Sequence, residues 1–156
     1  MVDTAYENVA ATGAGRVVVS FLWMQKHPED IDVVTHEVMH IVQNYDHSTG
    51  PGWLTEGIAD YVRYKYGVDN AGSKWALPDY KAGQSYKNSY RITARFLNWL
   101  ENNGHSRIVK KLDAQMRDHT YIKQTWKDLT ERTLDELGLI IQKFKWIFSA
   151  IYPHNL

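Results

Sequence analysis

Cysteine is absent from all 156 residues, which removes disulfides, thiolate metal ligands and a cysteine nucleophile together. An excess of either charge is missing too. The 18 basic and 18 acidic side chains cancel, so neither nucleic acid nor a membrane surface is expected as a partner on electrostatic grounds. The one basic doublet, Lys110–Lys111, falls in a helical pattern and reads as a solvated face. No run approaches the roughly 20 apolar residues of a membrane span. The opening MVDTAYENVAATGAGR lacks a basic stretch followed by an apolar one, so no signal peptide is read there. Repeats, low-complexity segments and linkers are also lacking. What remains is 44% hydrophobic and 23% charged, the composition of one globular domain over residues 1–156. Six Trp and ten Tyr serve first as core, although such side chains also line peptide clefts.

Along the chain, Arg16-Val-Val-Val-Ser-Phe-Leu-Trp23 has the β-branched and aromatic content of a buried strand. Pro28-Glu29-Asp30 suits a helix opening, with proline in the first turn and acids complementing the dipole. Ile31, Val34, Val38, Ile41 and Val42 recur at helical spacing and predict a buried stripe on a helix running to about Tyr45. After the break His47-Ser-Thr-Gly-Pro-Gly52, a second helix is expected over about 53–66, ending at Gly67. Residues 68–88 read as a long polar loop, of the length that usually serves function. Helices follow at about 89–102 and 106–117, and Thr133-Leu-Asp-Glu136 is a capping box. A strand followed by helices makes an α+β domain.

His36-Glu37-Val38-Met39-His40 carries the chemistry. On a helix, residues four apart share a face, so both imidazoles reach one ion. Neutral imidazole suits zinc, and Glu37 is placed to act on water rather than to bind the metal. Chance alone yields about 0.014 such matches in a chain of this composition, so the motif needs a second signal. That signal is Trp53-Leu-Thr-Glu56-Gly-Ile-Ala-Asp60-Tyr61.

A catalytic zinc needs a third protein ligand and an open position. Glu56 is the first candidate, with Asp60 orienting a ligand histidine from behind. Asp60 as the ligand itself is a second. Asp46 or His47 is a third, in the manner of metzincins, although those enzymes carry glycine where this chain has Gln43.

The two acid–histidine motifs in this order resemble the gluzincin pattern. Val9-Ala-Ala-Thr-Gly13, Asp32 to Gln43, Glu56-Gly-Ile-Ala-Asp-Tyr-Val-Arg63 and Tyr90-Arg-Ile-Thr-Ala-Arg-Phe-Leu97 resemble the basic secretory protein family of plants and bacteria over roughly residues 7–140. The resemblance implies a zincin-like fold, a secreted or periplasmic setting and hydrolysis of a peptide or protein substrate. It also implies a helix-opening tyrosine, Tyr90, with Tyr86 as the alternative, that donates to the oxyanion. Three features depart from the family. The pI is about 7.1, upstream strands usual in the family are missing, which predicts an exposed sheet edge, and Trp146 to Tyr152 matches nothing in it.

The expected chemistry is peptide hydrolysis with Zn²⁺ on His36, His40 and Glu56, and with Glu37 as general base. The strand at 16–23, if at the sheet edge, would pair with an extended peptide. The alternative is a catalytically silent zincin-like module that binds a cell-wall polymer or a protein; an intact Glu37 argues against it.

Overall fold

The computed structural model describes residues 1–45 and 49–141, and within them the chain is α+β as expected. Three short strands come first: β1 (Val2–Asp3), β2 (Ala10–Gly13) and β3 (Arg16–Ser20). They form one sheet in the order β1-β3-β2. β3 runs parallel to β1 with Val19 opposite Val2, and antiparallel to β2 with Val19 opposite Ala10. Ala14 and Gly15 join β2 to β3 with φ of 50° and 70°, the left-handed pair that makes a tight hairpin match strand twist. β3 is thus the central strand and β2 an edge, so the edge position that would let 16–23 pair with a peptide is not the one it takes.

The strand also ends earlier than its apolar run. Ser20 accepts a hydrogen bond from the Trp23 amide (3.3 Å) and caps α1 (Phe21–Lys26). A side-chain cap turns the chain into a helix where hydrophobicity alone predicted more strand. Phe21 and Leu22 consequently lie exposed.

Helix α2 spans Val33–Gln43, so Pro28-Glu29-Asp30 forms turns ahead of it and does not open it. The acids there have other partners. Asp30 pairs with Arg63 and accepts from the Trp23 indole (2.9 Å), while Asp32 accepts the Val68 and Asp69 amides at 2.7 and 2.6 Å. The predicted buried stripe is overturned. Ile31, Val34, Val38, Ile41 and Val42 are 40–50% exposed, and the buried residues of α2 are Val33, His36, Glu37, Met39 and Gln43. The buried face lies nearly opposite the apolar one at 100° per residue. It packs on α3 and carries the polar site.

Helix α3 (Gly52–Tyr66) and helix α4 (Tyr90–Asn102) pack closely. A Cβ at Gly57 would stand 2.1 Å from the Thr93 methyl, so only glycine allows this approach. Gly67 ends α3 with φ of −60°, not in the left-handed form expected of a terminal glycine. It is needed because a Cβ there would meet the Arg63 carbonyl at 2.5 Å. The loop between α3 and α4 is tethered by Arg95, which donates to the Asp79 carbonyl (2.8 Å) and to Gln84 (2.9 Å). Beyond α4 come α5 (Ile108–Arg117), a short α6 (Thr125–Thr130) not anticipated from sequence, and a helix over 134–141. Thr133 and Glu136 make the predicted reciprocal cap, and Lys110 and Lys111 are exposed. Leu54, Ile58, Phe96, Leu97, Leu112, Met116 and Trp126 form the core. Among the described residues no helix is long and apolar enough to cross a membrane. Asp46, His47 and the Trp146–Tyr152 segment lie outside the described residues.

Candidate metal centre

Helix α2 presents His36 and His40 one turn apart, and the close α2–α3 contact brings Glu56 to them. One ligand atom from each of the three falls within 4.8 Å of the others. The Nε2 atoms of His36 and His40 are 3.1 Å apart, and Glu56 Oε2 is 3.3 Å from the first and 3.5 Å from the second. Behind them, His36 Nδ1 donates to Asp60 Oδ1 (2.7 Å) and His40 Nδ1 meets Gln43 Oε1 (2.7 Å). A carboxylate accepts only, so His36 carries a proton on Nδ1, which leaves Nε2 as the atom turned toward His40 and Glu56 and available to a metal. Two imidazoles and a carboxylate at this spacing are a donor set that fits zinc.

The electrostatics agree. Burial alone would lower the pKa of His36, yet hydrogen bonds to Asp60 and Glu56, with their charges, outweigh it and raise it to about 9. Burial likewise opposes charge on His40, and Glu56 and Gln43 raise it nonetheless. Glu56, which burial would raise, is brought to about 2 by its hydrogen bonds to the two histidines. The cluster calls for positive charge at its focus, which a cation supplies as well as protons do.

Glu37 faces the same cleft, with Oε2 accepting from Thr12 Oγ1 at 2.6 Å. Tyr90 stacks its ring on His36, 6.1 Å between centroids and 18° between planes. The charge of Glu56, then burial, then Asp60 and Glu37 raise its hydroxyl above the ordinary value of 10, so it stays a donor at neutral pH. Ser89 and Tyr90 both have positive φ, 65° and 44°. For a bulky side chain this is a strained conformation of the kind that concentrates at functional sites. A cleft of about 1630 Å³ runs over these groups, walled by β2 and its hairpin, α2, α3, residues 72–75, Tyr90 and Arg91.

The family described as peptidase of plants and bacteria (BSP) matches residues 4–138. The chain belongs to this family. No curated protein and no solved structure matches it.

In this family member, then, His36, His40 and Glu56 come together with Asp60 directly behind them, and Glu37 and Tyr90 line the same cleft. Asp60 lies on His36 and not among the converging ligand atoms. Tyr86 is elsewhere: its hydroxyl donates to Asp135 (2.6 Å) and its ring packs on Trp53 and Phe96. Sequence reasoning missed two contacts. Thr12 reaches Glu37 from β2, and Gln43 reaches His40 from the end of α2. Both residues sat inside the stretches that carried the family resemblance, but spacing alone gave neither a role.

Proposed function

We propose that the chain is a zinc-dependent peptidase. The observation that carries this is the convergence of His36, His40 and Glu56 ligand atoms beside Glu37, in a chain of a peptidase family. Those three side chains would hold a zinc ion, which when bound would supply a lowered water pKa and a polarised scissile carbonyl. Glu37 takes the proton of the attacking water and returns it to the leaving amine. Thr12 holds one Glu37 oxygen (2.6 Å) and leaves the other for the water. Edge strand β2 borders the cleft and offers an extended peptide a strand to pair with. A secreted or periplasmic setting belongs to the same proposal and rests on the family resemblance.

Cleavage of generic peptide substrates is expected to stop when metal is removed by a chelator and to return with added zinc. Undiminished cleavage by protein verified as metal-free overturns the reading. A zinc-loaded chain that cleaves no member of a broad peptide library favours the binding module instead.

Tyr90 donates to the oxyanion in this scheme. Tyr90→Phe is expected to lower kcat by ~10²–10³ with little change in KM or zinc content. Tyr86→Phe, which loses only a surface contact to Asp135, is expected to stay near wild type. Equal turnover in Tyr90→Phe and wild type removes this role.

A further inference from the structure

Gln43 closes α2, three residues after His40, and is 1% exposed. Its amide bridges two elements. Nε2 donates to the Thr55 carbonyl at 2.9 Å, and Oε1 meets His40 Nδ1 at 2.7 Å. The first contact decides the second. A carbonyl only accepts, so the amide nitrogen must face Thr55 and the amide oxygen must face His40. That oxygen also only accepts, so His40 must carry its proton on Nδ1. Nε2 is then the atom available to a metal, and it lies 3.5 Å from Glu56 and 3.1 Å from His36 Nε2. Thr55 directly precedes Glu56. One buried side chain therefore touches a ligand on α2 and the backbone next to the ligand on α3.

We infer that Gln43 is a positioning residue: it fixes the tautomer and ring orientation of His40 and ties them to the placement of Glu56, setting metal affinity without binding the metal. This rests on the zinc reading above. Its physical basis is that a ligating imidazole is held through its other nitrogen, and losing that partner typically weakens metal binding ~10–100-fold. Asp60 plays that part for His36. The same part for His40 falls to a neutral amide, because at 1% exposure no water takes its place and an unpaired N–H there would be costly.

Gln43→Met keeps the length and removes the hydrogen bonds to His40 and Thr55; Gln43→Glu keeps an acceptor for His40 but loses the donation to the Thr55 carbonyl. Chelator competition is expected to show a zinc Kd raised ~10–100-fold in Gln43→Met and partly restored in Gln43→Glu. Imidazole ¹⁵N–¹H spectra of the metal-free wild type are expected to show a slowly exchanging His40 Nδ1–H that is lost in Gln43→Met. Wild-type zinc affinity in folded Gln43→Met overturns the inference. So does a Gln43→Glu as weak as Gln43→Met, or a wild-type His40 with no proton on Nδ1. If Gln43→Met does not fold, Gln43→Glu and the wild-type spectrum decide. A chain that binds no zinc defeats the proposed function, while the spectrum still reports on the Gln43–His40 bond.

Discussion

Glu37→Gln is expected to retain its zinc and lose its turnover. The amide has the shape of the carboxylate, and its oxygen still accepts from Thr12 Oγ1, which lies 2.6 Å from Glu37 Oε2. Buried at 6% exposure, the position is filled equally well by either side chain. Only one property changes: the amide cannot take a proton from water. General-base catalysis contributes typically ~10²–10⁴ in rate, and a loss of that order in kcat is the expected result. Zinc content should not move, because Glu37 is not among the converging ligand atoms. If wild type cleaves a peptide and Glu37→Gln cleaves it as fast, the base lies elsewhere and the proposed division of roles is wrong.

The second large effect concerns the two carboxylates of α3, which the geometry separates. Glu56 Oε2 stands within 3.5 Å of both histidine Nε2 atoms, whereas Asp60 holds only the far side of His36. Glu56→Ala removes a ligand and the charge that most directly calls for a cation, so zinc is expected to be lost on dialysis. Asp60→Asn keeps an oxygen that accepts from His36 Nδ1. It loses only the charge, which should weaken zinc by ~10–100-fold and not abolish it. Titrating both variants against a chelator separates the two cases. Retention by Glu56→Ala with loss in Asp60→Asn would exchange their roles.

How much of this was legible in the sequence differs from residue to residue. His36 and His40 were legible because helical geometry alone places residues four apart on one face. Glu56 and Asp60 share a face for the same reason, but their meeting with α2 depends on a chain reversal that spacing does not specify. There the motif order supplied what periodicity lacked. The stripe of Ile31, Val34, Val38, Ile41 and Val42 failed for an instructive reason. Periodicity tells which side chains share a face, not which face the tertiary structure covers, and α2 turns its polar face inward to build the site. Consistency rules fail most often at functional sites, and this helix carries the proposed one. The helix predicted from Pro28 failed because Asp30 and Asp32 serve Arg63 and the amides of Val68 and Asp69. Thr12 and Gln43 were out of reach for a simpler reason. A threonine 25 residues from its partner, or a glutamine at a helix end, has many possible uses until packing selects one.

The zinc content of the purified chain tests the central claim most directly. Protein prepared without chelator, or reconstituted with zinc and desalted, should carry one zinc per chain by elemental analysis. His40→Ala prepared in parallel should carry almost none. Equal, sub-stoichiometric zinc in wild type and His40→Ala would contradict the account at its base, since the converging side chains of His36, His40 and Glu56 would then not be a metal site.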